Sequence, residues 1–432
     1  MSVTVAVGSF SDATGNLNAS ASNTQSVIVD TSAPTVTIAG VPDAFTSQSV
    51  FTVAITFSEA VTGFQAADVV LQNATLVALA GTGASYTAQI RSSGAGDLLV
   101  MVPADAAADA AGNGNQASAA ATAQNQTVEE TQQKIATFLS TRATQLLSNQ
   151  PGLVCHLQGS CGPGSIDIGV TRGALTFGAQ SRPGRSVWFQ IGGSRTTDGP
   201  SKSDYIFGTV GTHRRIGENT IAGVMLQFDH ISQHDGASSI DGTGWLFGPY
   251  FATKHPNQAL FVEGRILWGR TKNTIKPFGT YADSFKTDRW LAHLGVSGNI
   301  DFGNVVLTPS ISGAYTTDVQ KAYIDTLGNL IPQQGVEIGQ LSLGLDFQTT
   351  AKINGHPWEV TGGVSAVYSN SSGSGAATAT VPSINGTRAR IKLAAATEFR
   401  SGARLQIGTY YDGIGADGFE SLGLDIGFQW DF

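Results

Sequence analysis

From residue 187 to the end, the chain alternates apolar and polar residues in one segment after another. A period of two belongs to strands with unlike faces. Twelve such segments are read, at 187–197, 203–214, 220–233, 242–254, 259–273, 285–301, 305–319, 336–352, 357–370, 387–400, 403–412 and 419–432. Most have about ten residues or more, the length a tilted strand needs to cross a bilayer. In the fifth, Leu260, Val262, Ile266 and Trp268 oppose Glu263 and Arg265. In the tenth, Ala389, Ile391, Leu393 and Phe399 oppose Arg388, Arg390, Lys392 and Glu398. In the last, Leu422, Leu424, Ile426, Phe428, Trp430 and Phe432 oppose Gly423, Asp425, Gly427, Gln429 and Asp431.

A soluble sandwich alternates too, but two features favour a membrane barrel. The polar faces carry both charge signs at mid-strand, so Glu263, Arg265, Arg289, Arg388, Arg390, Glu398, Arg404 and Asp425 are predicted to line a wet lumen. The connections also alternate in length. Segments 234–241, 274–284, 320–335 and 371–386 are long and 198–202 and 413–418 intermediate, whereas 217–219, 255–258, 302–304, 354–356 and 401–402 are tight. Outer-membrane barrels keep short turns on the periplasmic side, and closure leaves no sheet edge unpaired in lipid. Pro249 and Pro309 fall inside predicted strands and remove ladder donors, which predicts bulges. Ile166–Ser181 alternates as well and leaves room for an extra hairpin.

Residues 30–127 show shorter runs: 35–38, 50–57, 69–71, 75–79, 85–90 and 97–102, punctuated by Pro34, Gly40, Pro42, Gly63, Gly81, Gly83 and Gly96. That pattern predicts a β-sandwich. Charge changes at the same boundary. Residues 1–127 hold eight acidic residues and one basic one, Arg91, out of 32 and 24 in the whole chain. The segment also repeats: Asp12-Ala-Thr-Gly15-Asn16-Leu-Asn18 returns as Asp109-Ala-Ala-Gly112-Asn113-Gly-Asn115, an offset of 97. A long fixed period marks tandem modules. Residues 1–29 are therefore read as the tail of a truncated module, with no leader character in Met1–Gly8.

Between the two patterns, Thr127 and Glu130 have capping-box spacing. Ile135, Phe138, Leu139, Leu146 and Leu147 follow at helical spacing, with Arg142 among them, until Asn149-Gln150-Pro151-Gly152. A narrow apolar stripe on a mostly polar rod suits a linker between domains. It equally suits a helix inside a polar channel.

Composition narrows the choices. Charged residues are 13% of the chain and glycines number 53 of 432. The net charge of −8 argues against nucleic acid as a partner. No apolar run approaches the ~18 residues of a spanning helix. Cys155 and Cys161, the only cysteines, are read as a small disulfide loop in a chain that otherwise looks exported.

Phe57-Ser-Glu-Ala-Val-Thr-Gly-Phe-Gln-Ala-Ala-Asp68, with 108–113, resembles bacterial Ig-like repeats of surface adhesins. Residues 128–432 resemble the translocator domain of type V autotransporters. The likeness lies in a helix, about twelve strands and a terminal Phe432, with motif segments 182–188, 244–250 and 261–270. The resemblance implies that the helix threads the pore with its N-terminal end outside. It also implies that Leu424, Ile426, Phe428, Trp430 and Phe432 form the signal read by the barrel-assembly machinery. The expected fold is all-β: a 12-stranded antiparallel transmembrane β-barrel with an α-helix in its lumen, preceded by an Ig-like β-sandwich. The expected divisions are 1–29 (module tail), 30–127 (sandwich), 128–150 (pore helix), 151–186 (connecting segment) and 187–432 (barrel).

The expected function is to anchor and export the chain's own N-terminal Ig-like, adhesin-type passenger. Outer-membrane lipid, the assembly machinery, periplasmic chaperones and a host or cell-surface ligand are the expected partners. A barrel protease or lipase and a diffusion porin are the alternatives. No nucleophile, metal or phosphate-loop motif occurs, so no catalytic residue, cofactor or metal is expected. His230 and His234, and the oxygen-rich set Asp109, Asn113 and Asn115, are read as loop polarity and turn chemistry rather than metal ligands. Asn149-Gln150 is a weaker candidate for self-cleavage.

Overall fold

The computed structural model describes residues 2–158, 166–171, 174–180, 187–198, 201–353, 356–380, 386–398, 404–415 and 421–429. The chain divides into two compact units, Met1–Thr127 and Val128–Phe432.

In the first unit, Val36–Ala39, Val50–Val61 and Ala74–Ser92 form one sheet. Ala44–Phe45, Ala121–Asn125, Leu98–Met101 and Val70–Gln72 form the other. The two runs expected at 75–79 and 85–90 are one long strand. The strands at Ala44–Phe45 and Ala121–Asn125, too short or too alanine-rich to show apolar alternation, went unread. Inward residues make the core, where Phe57, Phe64 and Tyr86 pack edge-to-face at 4.9–5.9 Å.

The two repeat copies make the same bonds. Asp12 Oδ1 accepts the amides of Thr14 and Asn16 at 2.9 and 3.0 Å. Asp109 Oδ1 accepts those of Ala111 and Asn113 at 2.8 Å. Gly15 and Gly112 both take a left-handed φ near 90°, which glycine permits. Asn115 accepts the Ala107 amide and donates to the Pro103 and Gln116 carbonyls. Covering differs between the copies: Val100 and Val102 are fully buried, whereas Val3 and Val5 are 57% and 40% exposed.

The second unit is an antiparallel meander. Its strands are β1 (Ile166–Thr171), β2 (Ala174–Gln180), β3 (Val187–Asp198), β4 (Ser201–Ile216), β5 (Thr220–Asp235), β6 (Ser238–Lys254), β7 (Leu260–Lys276), β8 (Asp283–Gly298), β9 (Val305–Gln320), β10 (Gln334–Ile353), β11 (His356–Ser374), β12 (Gly386–Glu398), β13 (Arg404–Ile414) and β14 (Ser421–Gln429). Each pairs with its two sequence neighbours, and β1 pairs with β14, Ile168 opposite Ile426. The ring is thus closed. The twelve strands expected from residue 187 onward are β3–β14. The Ile166–Gln180 hairpin inserts between β14 and β3, so the described ring counts fourteen strands, not twelve, with the short segment Ile300–Phe302 continuing β8 against β9. The alternation at 166–181, which leaves room for an extra hairpin, supplies the two additional strands.

The faces separate by parity. Phe228, Phe247, Ile266, Trp290, Leu294, Leu343 and Ile391 are exposed on the outside, as lipid-facing positions are. Neither proline produces a bulge. Around Pro249 the β6–β7 ladder lapses between Phe247↔Trp268 and Tyr250↔Arg265 and resumes in the same register. Around Pro309 the β8–β9 ladder lapses between Ser297↔Ser310 and Ile300↔Leu307, again without a shift. The pairing on the opposite flank holds each strand straight through the missing donor. The loop expected at 234–241 is also shorter: β5 and β6 pair out to Asp235↔Ser238. Polar strand ends can continue a hairpin beyond the membrane, so side-chain polarity does not mark where pairing stops.

The Asn113 amide, above all, holds the Asp109 carboxyl below its ordinary value of 3.8. A carboxylate stabilised in this way supports folding above its ordinary pKa, and that support fades as pH falls through the lowered one. Asp109→Ala in residues 30–127 is expected to lower the Tm at pH 7, with the difference from the parent shrinking below pH 3.8. Thermal unfolding followed by circular dichroism at both pH values checks this.

Candidate functional site

The helix α1, Thr127–Ser148, lies in the barrel lumen. Its first amide is taken by Asn125 Oδ1 at 2.9 Å, and the Thr127 hydroxyl accepts the Ser47 amide, so the expected capping box is replaced by other partners. At the far end, Asn149 and Gln150 side chains donate to the Gln145 and Leu146 carbonyls at 2.7 and 2.9 Å. They satisfy acceptors that a helix end leaves open.

Ile135, Phe138, Leu139, Arg142 and Leu146 are all buried. The four apolar ones pack in one cluster with wall residues Phe207, Ile231, Leu246, Leu267, Phe285 and Leu291. The lumen around the helix is therefore drier than alternation alone suggested. Its wall mixes apolar and polar side chains, since a face packed on a helix needs complementary shape as well as charge.

Arg142 enters that apolar wall through a polar notch. Its Nε donates to Asp229 Oδ2 at 2.6 Å, and its Nη1 donates to Asn273 Oδ1 at 2.8 Å. Arg289 grips the same carboxylate with two bonds, at 2.6 and 3.2 Å. Asp318 lies directly opposite Arg289 on the next strand. Arg142, Asp229, Arg289 and Asp318 are each 5% exposed or less. Two guanidinium groups thus share the Asp229 carboxylate out of reach of bulk water, and it is this pairing that makes the buried charges tolerable. The notch exists because β6 presents glycines there. A Cβ on Gly244 would collide with Arg289, Arg142 and Asp229, and one on Gly242 with Asn273, Phe138 and Arg142.

Glu263 and Arg265 meet the chain just past the helix. The Glu263 carboxylate accepts the amides of Leu153 and Val154 at 2.7 and 3.0 Å, at the start of α2 (Val154–Gln158). Arg265 donates to the Pro151 carbonyl at 2.6 Å. Arg215 donates to the Leu157 carbonyl, and Trp188 stacks on His156 at 4.6 Å. These contacts lie near the short turns at 217–219 and 255–259. At the other end, Gln334, just after the 321–333 loop, donates to the Gln132 carbonyl at 3.1 Å. The same loop brings Ile331 into the lumen cluster and Tyr323 onto Phe285. The helix therefore runs from the long-loop end to the short-turn end.

The other sequence candidates lie elsewhere. Arg388 donates to Ser369 at 2.9 Å, Arg390 covers the Tyr410 ring, and Glu398 is in register with Arg404, all on neighbouring strands. For Arg404, Asp425, Leu424, Ile426 and Phe428 only the strand backbone is described, and Trp430 and Phe432 lie outside the described residues. Cys155 is disulfide-bonded, and Cys161 lies outside the described residues. His230 is exposed on the outer face. Sequence reading missed Asp229 and Asn273 as helix partners. The available signal was a carboxylate and an amide on inward-parity positions of strands that also carry lumen arginines.

Removing one partner of a buried ion pair leaves the other uncompensated, at a cost of about 3–5 kcal/mol. Asp229→Ala strands both Arg142 and Arg289, whereas Arg142→Met leaves Asp229 paired with Arg289. The expected order is a loss of about 3–5 kcal/mol for Asp229→Ala and a smaller loss for Arg142→Met. Denaturant unfolding of the refolded barrel measures both, and the reverse order would contradict the shared-carboxylate lock.

The bacterial Ig-like domain family matches residues 30–128, and the autotransporter beta-domain family matches residues 187–412. The translocator domain of autotransporter NalP from Neisseria meningitidis is similar at 17% identity and a TM-score of 0.40, over 68% of this chain and 98% of that one. The beta domain of the Bordetella autotransporter BrkA is similar at 13% identity and a TM-score of 0.37, over 62% and 100%. The transport unit of AIDA-I from Escherichia coli is similar at 11% identity and a TM-score of 0.31, over 62% and 88%. No curated protein sequence matches. Since the beta-domain match spans more than half of the chain, this outer-membrane barrel with an Ig-like domain in front belongs to the autotransporter beta-domain family.

Proposed function

We propose that the barrel exports the chain's own N-terminal Ig-like region and then holds it at the cell surface, with α1 as the last exported stretch retained in the pore. The observation that carries this reading is the seating of α1. Its Arg142 sits on a carboxylate that wall residue Arg289 also grips, and its N-terminal end points to the long-loop end. Long loops face outward in outer-membrane barrels. The chain entering α1 from residue 127 would then come from outside, and the turn held by Glu263 and Arg265 would lie on the periplasmic side. The Ig-like region would act as an adhesin-type passenger or spacer. The assembly machinery and periplasmic chaperones would serve the barrel on its way to the membrane, reading its terminal strand. Folding of the passenger outside, or a partner, is the proposed source of free energy for export.

Removing residues 129–149 empties the lumen of its rod. The expected result is a sharp rise in single-channel conductance in planar bilayers, and unchanged conductance would reject the plugged pore. In intact cells, protease added outside is expected to release residues 1–127 and spare the barrel.

A further inference from the structure

The outward faces of β7 and β8 change character towards the long-loop end. Trp268 and Trp290 lie directly opposite each other, and Trp245 packs edge-to-face on Trp268 at 5.4 Å. Tryptophans of this kind mark the membrane–water interface. Above them, Arg270 lies opposite Asp288, and Lys272 lies opposite Lys286. Lys276 and Lys321 complete the patch, and Arg270, Lys272, Lys276, Lys286 and Lys321 are all exposed. Two residues along a strand tilted about 45° climb roughly 5 Å, so both rows fall within or just above the polar headgroup layer.

Charge in this patch is unbalanced. Asp288 serves two cations, Arg270 at 3.0 Å and Lys321 at 2.8 Å. Among the described residues Lys272, Lys276 and Lys286 form no ion pair, although Asp241 stands on the neighbouring strand opposite Thr274. Like charges directly opposite on one sheet face destabilise it. An anion lodged between Lys272 and Lys286 would reverse that penalty, with Arg270 beside it as a further donor.

We infer that this patch binds a lipid of the surface leaflet whose headgroup carries more than one phosphate. The lysine pair and Arg270 would hold the phosphates, and the tryptophan row would lie at the level where the acyl chains begin. A bilayer ligand is favoured over a soluble one because the cations stand on the lipid-facing side of the sheet, directly above the aromatic row. The inference rests on the long-loop end facing outward. Its failure is separable from failure of the export reading, because protease release of residues 1–127 reports orientation independently.

The test uses the full chain refolded into phosphatidylcholine vesicles with and without bis-phosphorylated lipid A, followed by detergent extraction and native mass spectrometry of retained lipid. Lys272→Gln/Lys286→Gln is compared with Lys202→Gln/Lys254→Gln, which removes the same charge elsewhere; heat-modifiable gel mobility verifies that each is folded. Each lysine near a charged surface contributes enough that losing two should cut lipid A retention about tenfold to thirtyfold. The control pair and Lys272→Arg/Lys286→Arg are expected to retain it. Equal retention by Lys272→Gln/Lys286→Gln and the control pair would overturn the inference. So would equal retention of phosphatidylglycerol, with one phosphate, by the parent protein.

Discussion

A sheet immersed in hydrocarbon cannot leave an edge unpaired, because no water is present to satisfy the exposed amides and carbonyls. The meander of the second unit obeys that constraint by running β14 back onto β1. Closure then divides every strand into an outside and an inside. Among the described residues the outside is largely apolar, with a tryptophan row near one rim. The inside becomes a confined space that must be either filled or wet.

The lumen is occupied by a helix of the same chain. Burial of Arg142 is tolerable because Asp229 and Asn273 meet it and because Gly242 and Gly244 withhold side chains where the guanidinium must sit. The apolar residues on either side of it on the helix meet apolar wall positions. The helix is therefore held by shape along its length and by charge at one depth, and that depth fixes its register. Glu263 and Arg265 act one step later, on the backbone of the turn that leads away from the helix. Retention of the helix and stability of the barrel are thereby coupled, since the same carboxylate serves a helix residue and a wall residue.

The first unit rests on separate physics. Its two sheets bury a core between them, and its turns are set by Asp–Asn side chains that bond their own backbone. The same bond pattern in both repeat copies, around left-handed Gly15 and Gly112, shows that the motif encodes a local turn and needs no cover to form it.

Alternation alone identified twelve barrel strands and their faces, because a two-residue period and a lipid boundary leave one consistent arrangement. Helical spacing alone placed Ile135, Phe138, Leu139 and Leu146 on one stripe, and the long offset alone revealed the repeated turn. Tertiary structure decided the rest. Whether the 166–180 hairpin joined the ring depended on which edges were left to pair. Whether Pro249 and Pro309 bent their strands depended on the neighbour across the other flank. Which of many lumen charges met the helix depended on strand stagger, and that brought Asp229 and Asn273 to Arg142 while leaving Arg388 and Arg390 with neighbouring strands. Local pattern fixes which face a side chain occupies; the partner it meets is set by residues far away in sequence, through closure of the ring.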